Sequence, residues 1–220
     1  MTVGWEDILP RLVHDAKALL RSPVIRTQLL RRKIGDSDPA LAEALDSIAA
    51  GQKRVEEFLV RISMLREAMS ANAAATERSV EAAIMSARLT TKPLMDAIGG
   101  SWTVVHVDPC LTAMSLDKVL IELIQNSVRF RRDGAPLEIC VQTVAAPGSL
   151  KVLYSDNSLG WDPAFTEKIM RPFETLDPER SGFGLGLPIA VAVAERNGGA
   201  IRAASGEGGS RFEIEIPAAA

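Results

Sequence analysis

Leu9, Val13, Ala16, Leu20, Pro23, Thr27, Leu30 and Ile34 follow one another in steps of four and three, with weak members at 23 and 27. That spacing keeps one stripe of a helix apolar and predicts a helix over residues 5–34. Gly35-Asp36-Ser37-Asp38-Pro39 breaks the series; Asp38 suits the cap of a following helix and Pro39 its first turn. A second series, Leu41, Leu45, Ile48, Gln52, Val55, Leu59, Ile62, Arg66 and Met69, keeps the alternation, with Gln52 and Arg66 as polar interruptions. Two long helices and a short turn make an antiparallel hairpin. Leu12, Leu19, Phe58 and Leu65 widen the stripe beyond what one hairpin buries. A homodimer through the N-terminal hairpins, as a four-helix bundle, would cover it; packing against the rest of the same chain is the alternative.

Residues 70–78 are small and polar and form a joint, either a hinge or an alanine-rich helix. Beyond it the period changes. Residues 80–94 read as a helix, ended by Pro93 and Gly99-Gly100, and residues 102–107 as a strand. Residues 115–129 read as a helix, and 137–144 and 150–154 as two strands around a turn. Residues 185–196 read as a helix stopped by Asn197-Gly198-Gly199, and 200–204 and 211–216 as closing strands. The expected fold class is α+β: a helical hairpin over 1–69, a joint over 70–78, and over 79–220 an α/β sandwich with helices on one face of a mixed sheet.

The 220 residues carry a formal net charge of -3 with both signs interspersed, so nucleic acid is not an expected partner. No run of apolar residues is long enough to span a membrane, and the N-terminus has no signal-peptide pattern, so the expected compartment is the cytoplasm, with no membrane insertion. Cys110 and Cys140 stand far apart among apolar neighbours and read as buried thiols rather than a disulfide or metal pair.

Candidate chemistry gathers in three places. On the 115–129 helix, Leu116, Val119, Leu120, Leu123 and Ile124 supply the apolar stripe, while Glu122, Asn126 and Arg129 share another face. A carboxylate there can take a proton, and an amide oxygen can hold Mg²⁺ without cancelling phosphate charge; a solvated polar face is the plain alternative. Asp156 ends a strand and can accept a hydrogen bond from an exocyclic amine such as that of adenine, with Gly160 permitting close backbone approach; an ordinary Asp-Asn turn is the alternative. Gly182, Gly184 and Gly186 alternate before an amphipathic helix, where backbone N–H groups can cradle phosphate. The run lacks the Gly-Lys-Ser/Thr ending of a P-loop and is not a dinucleotide fingerprint.

Together these stretches resemble the catalytic and ATP-binding domain of sensor histidine kinases, over about residues 77–217. Ile121-Glu122-Leu123-Ile124-Gln125-Asn126-Ser127-Val128-Arg129 is similar to the family's asparagine motif. The resemblance implies Glu122 as base or activating carboxylate, Asn126 as the Mg²⁺ ligand, and Arg129 among the residues of the nucleotide site. Asp156-Asn157-Ser158-Leu159-Gly160 is similar to its aspartate-glycine motif, with Asp156 reading adenine; Ser158 stands where the family usually has glycine. Met170-Arg171-Pro172-Phe173 resembles its phenylalanine motif, and Gly182-Phe183-Gly184-Leu185-Gly186-Leu187 its second glycine motif. The interval 161–181 would be the ATP lid, with Arg171 and Arg180 as candidates to reach phosphate. ATP and Mg²⁺ are the implied cofactors.

His14, one residue after the apolar Val13, flanks the seam; its imidazole is a competent nucleophile and Asp15 can orient the ring or take its proton. His14-Asp15-Ala16-Lys17-Ala18-Leu19-Leu20-Arg21 resembles the phosphoacceptor motif of the family's dimerisation and histidine-phosphotransfer domain, particularly its phytochrome-like branch. The family often has proline at the position of Leu19; here Pro23 is the candidate kink. Ala18 replaces a Thr or Asn that orients hydrolytic water in related phosphatases. The implied activity is a protein-histidine kinase that phosphorylates His14 and passes the group to an aspartate of a response-regulator receiver domain. No sensor domain is recognised within these residues, so the input would come from a separate sensor protein or a longer chain. The alternatives are a histidine phosphotransferase that relays phosphoryl groups without ATP, and a non-enzymatic adaptor that binds a receiver.

Overall fold

The computed structural model describes residues 5–35, 37–70, 78–108, 110–112, 114–177, 180, 182–206 and 208–217. Most of the expected joint, residues 71–77, lies outside the described residues. The chain divides into two compact units, Met1–Arg66 and Glu67–Ala220.

In the first unit, α1 spans Trp5–Ile34 and contains both Pro10 and Pro23. Helix α2 spans Pro39–Met69. Asp38 Oδ1 accepts the backbone N–H of Leu41 at 3.1 Å, satisfying a donor that the first turn leaves open. Val13, Thr27, Ala42, Leu45 and Leu59 are buried. The polar interruption at Gln52 has a partner: its Nε2 donates to Thr27 Oγ1 (3.3 Å), and that hydroxyl donates to the Pro23 carbonyl (2.9 Å). Arg31 Nε donates to Asp46 across the hairpin at 2.9 Å. Half of the apolar stripe remains uncovered: Leu12, Leu30, Leu41, Ile48 and Val55 each expose 45–54% of their surface.

The second unit opens with β1, Arg78–Ser79. Ser79 caps α3, Val80–Ala97, by accepting the Ala82 N–H at 3.1 Å. The stop expected at Pro93 is incorrect. Pro93 removes the N–H that would reach the Leu89 carbonyl, but both residues are exposed, so water can take that bond and the helix continues. It ends at Gly99 (φ 62°), a conformation glycine adopts without strain. Strand β2 is Ser101–Val104, shorter than expected, although the Val105 N–H still donates to the Val141 carbonyl (3.0 Å). Strand β3, Leu111–Thr112, pairs antiparallel with β1. Helix α4 is Leu116–Arg129. Strands β4 (Glu138–Ala146) and β5 (Ser149–Asp156) form a hairpin tighter than expected, turning at Gly148 (φ 71°). A short α5, Thr166–Ile169, precedes α6, Gly186–Arg196, and the chain closes with β6 (Ala200–Gly206) and β7 (Gly209–Pro217).

The main sheet has the order β2-β4-β5-β7-β6, with β2 parallel to β4 and the other pairs antiparallel. Alternation sends Ile139, Val141 and Thr143 of β4, Leu150, Val152 and Tyr154 of β5, and Phe212, Ile214 and Ile216 of β7 into the core. There they meet α6 and, through Ser127, α4, which in turn packs against both α3 and α6. Burying a large apolar side chain of this kind contributes about 1.5–3 kcal/mol. One face of the sheet is therefore the core and the other is more open. Cys140 falls on the second face, so it is half-buried rather than buried; Cys110 is half-buried as well, and neither is in a disulfide.

Candidate active site

The alternation that buries Leu150, Val152 and Tyr154 also turns Asp156 toward the helices, at the end of β5. Register completes its surroundings: Asp156 pairs with Ile139 of β4 and with Ser210 of β7. Its Oδ1 accepts the backbone N–H groups of Ser158 (2.9 Å) and Ser210 (3.1 Å). Its Oδ2 accepts from Ser127 Oγ of α4. Ser127 also lies 2.6 Å from the Tyr154 hydroxyl. Burial, and next the nearby Asp156 charge, hold the Tyr154 phenol well above its ordinary pKa, so it stays protonated and can donate. The arrangement is a relay from Tyr154 through Ser127 to the carboxylate. Ser158 is buried, and its hydroxyl lies 2.9 Å from that of Ser210. Its φ is not positive, so this position does not require glycine, whereas Gly160 has a φ of 67°.

Glu122 and Asn126 lie one turn apart on α4, and both reach the start of α6. A Cβ placed on Gly186 would lie 3.2 Å from both amide atoms of Asn126 and 3.3 Å from Glu122 Oε2. Glu122 is only 1% exposed, Asn126 is half-buried and Arg129 is exposed, so the alternative of a plain solvated face does not hold at Glu122. Arg129, a turn further on, packs against Gly182, where an added Cβ would sit 2.7 Å from its Nη1. Gly184 has φ 64°, and a Cβ there would lie 2.7 Å from the Glu174 carbonyl oxygen. The Phe173 N–H donates to the Gly184 carbonyl at 2.9 Å, tying the phenylalanine motif to the glycine run. Leu187 follows on the first turn of α6, which has no side-chain cap at its N-terminus. Open N–H groups at a helix start favour an anion.

Arg171 is exposed, whereas Arg180 is held by Asp133 (2.7 Å) and the Arg131 carbonyl (3.3 Å). The structure does not bring either arginine to the Glu122–Asn126–Gly186 cluster by any contact among the described residues. Residues 178, 179 and 181 of the expected lid lie outside the described residues. No group of three His, Cys, Asp or Glu able to hold a metal occurs among the described residues. Asn126 can supply one oxygen, so Mg²⁺ would need phosphate and water for the rest of its shell, a set that fits this cation.

On α1, His14 is 79% exposed at its side chain, with Nδ1 3.1 Å from Asp15 Oδ1. A groove beside it is lined by Leu9, Val13, Lys17, Ser63 and Arg66. Reading the sequence alone missed Ser127, Tyr154 and Ser210. A polar Ser127 four residues after Leu123, in an otherwise apolar stripe, was the available signal.

Residues 112–220 match the family described as histidine kinase-, DNA gyrase B-, and HSP90-like ATPase, and belong to it. The chain joins this ATP-binding domain of sensor histidine kinase type to a hairpin like the one that precedes it in two-component sensor kinases. It is similar to the C4-dicarboxylate transport sensor protein DctB of Rhizobium meliloti, with 29% identity over 80% of this chain and 28% of that protein. It is also similar to cyanobacterial phytochrome A of Nostoc, with 24% identity over 93% of this chain and 27% of that protein. The chain thus spans less than a third of the length of these relatives. Full-length ShkA, solved in complex with AMPPNP, shares the fold: the TM-score is 0.75 at 18% identity, over 97% of this chain and 46% of that one. The matched family is thus one of ATPases, and the similar ShkA holds an ATP analogue. Among the described residues no helix is long and apolar enough to cross a membrane.

Proposed function

We propose that this chain is an ATP-dependent protein-histidine kinase that phosphorylates itself on His14 and hands the phosphoryl group to an aspartate of a receiver domain. The observation that carries the reading is the meeting of Glu122 and Asn126 with Gly186 at the uncapped start of α6. Asp156 stands at the sheet end with an acceptor site for a base. In this reading residues 1–69 are the dimerisation and phosphoacceptor domain, 70–78 the joint, and 79–220 the catalytic domain. Asp156 and Gly160 hold adenine. Arg129, Gly182, Gly184, Gly186 and Leu187 hold the phosphates; Arg171 and Arg180 are the lid's candidates to reach them, and Arg180 would first have to leave Asp133. Asn126 would ligate Mg²⁺, which neutralises charge on the triphosphate.

With Nδ1 protonated and donating to Asp15, the Nε2 lone pair of His14 faces outward. Nε2 attacks the γ-phosphorus, the bond to the β–γ bridging oxygen breaks, and ADP leaves. Asp15 balances the charge gained by the ring or takes the Nδ1 proton; Glu122 acts as the activating carboxylate. Catalysis is mostly alignment and charge neutralisation. The partners are a second copy through the uncovered hairpin stripe, a receiver domain, and a separate sensor protein; the compartment is the cytoplasm.

Incubation with γ-labelled ATP and Mg²⁺ tests the proposal. Acid-labile, base-stable label should appear in the native chain and vanish in His14→Gln while ATP affinity persists. Label that survives His14→Gln would refute the assignment. Absence of label, with phosphoryl still accepted from a phosphorylated receiver, would instead establish a phosphotransferase that does not use ATP.

A further inference from the structure

Of the two polar interruptions in the α2 stripe, Gln52 is matched by Thr27, but Arg66 is not matched by anything comparable. Arg66 is half-buried, and neither it nor Lys17 makes an ion pair or side-chain hydrogen bond among the described residues. Both line the groove beside His14, which has a volume of about 250 Å³. Leu9 and Val13 give that groove an apolar floor, and Ser63 adds a hydroxyl from α2. No carboxylate lines it among the described residues. His14 and Lys17 are three residues apart on α1 and so lie on one face, while Arg66 comes from the facing helix. Two cations from two helices therefore flank a nucleophilic ring over an apolar surface.

We propose that this groove is a phosphoryl-binding site, and that Arg66 holds the dianion once it is bonded to His14 Nε2, with Lys17 as the second cation. The proposal rests on the kinase reading in taking His14 as the acceptor. A guanidinium fork matches two phosphoryl oxygens, and the apolar floor strengthens the attraction relative to water. Ser63 can donate to a third oxygen when its hydroxyl leaves the Leu59 carbonyl, to which it now donates at 2.9 Å. Arg66 is a phosphoryl-binding residue in this account, and the odd member of the α2 stripe acquires a reason.

Phosphoramidate bypasses the nucleotide site. Nε2 forms a bond to its phosphorus, the P–N bond breaks, and ammonia leaves. The full-length chain treated in this way is titrated by ³¹P NMR, with His14→Gln locating the signal. The charged groups facing the phosphoryl are Asp15 and Lys17 from α1 and Arg66 from α2. The second phosphoryl pKa should rise by about one unit in Arg66→Gln as the cation is lost, and return toward native in Arg66→Lys. An unchanged titration in Arg66→Gln, with the signal still on His14, would overturn this site and leave the kinase reading standing. A native spectrum that contains no His14-dependent signal would overturn both.

Discussion

Asp156 offers the sharpest test because its acceptor positions can be counted. A carboxylate has about four lone-pair sites. The Ser158 and Ser210 N–H groups occupy Oδ1, and Ser127 occupies one side of Oδ2. One position on Oδ2 is left for the exocyclic amine of adenine. Asp156→Asn keeps an oxygen for the two backbone donors but removes the charge, weakening each bond by about 1 kcal/mol, since charged acceptors contribute roughly 1.5–3 and neutral ones about 0.5–1.5 kcal/mol. The fold should lose about 2 kcal/mol, or roughly 4–8 °C in Tm. The Ser127 hydroxyl can rotate to accept from the new amide. The adenine amine cannot: it would face an N–H donor. ATP affinity should therefore fall by about 2–3 kcal/mol, roughly 30–150-fold. Calorimetric titration with a non-hydrolysable ATP analogue reads this loss. A purine triphosphate without the amine should bind the native chain and Asp156→Asn almost equally. If the variant weakens both nucleotides to the same extent, Asp156 does not read the amine and the assignment fails.

Asn126→Ala, which removes the candidate metal oxygen, should weaken nucleotide binding and flatten its Mg²⁺ dependence by calorimetry; an unchanged dependence would refute the role. The chain should be a homodimer by light scattering at tens of micromolar. Val55→Glu should dissociate it with little loss of helix by circular dichroism, because Val55 is 45% exposed in the single chain; a native monomer would defeat the idea. Gly184→Ala places a side chain at φ 64° against the Glu174 carbonyl. It should cost about 1–3 kcal/mol and weaken ATP binding, read by melting and titration. Asp108 is held below its ordinary 3.8 by its hydrogen bonds to His106 and Thr143. Its contribution is thus complete above that value and fades as pH falls through the lower folded one. Thr143→Val should flatten the stability profile below about pH 4, checked by denaturation at several acid pH values.

Much of the architecture is legible in one dimension because it follows short periods. Steps of three and four mark α1 and α2, and Asp38-Pro39 marks the entry to α2. Alternation marks β4, β5 and β7, and glycine spacing marks the approach to α6. Two-residue β1 and β3 have too few positions to show a period, and whether Pro93 stops a helix depends on which side of α3 faces water. Each apolar stripe also leaves open which half its own hairpin covers: Leu45 and Leu59 are buried while Ile48 and Val55 are not. The surroundings of Asp156 required the β5–β7 register and the placement of α4, which together bring Ser210 and Ser127 to one carboxylate. Arg66 reads along the chain as a flaw in a stripe, and only the hairpin sets it beside His14. Local periodicity records what each segment must bury. The meeting of residues from distant segments is set by register and helix packing, which no single segment encodes.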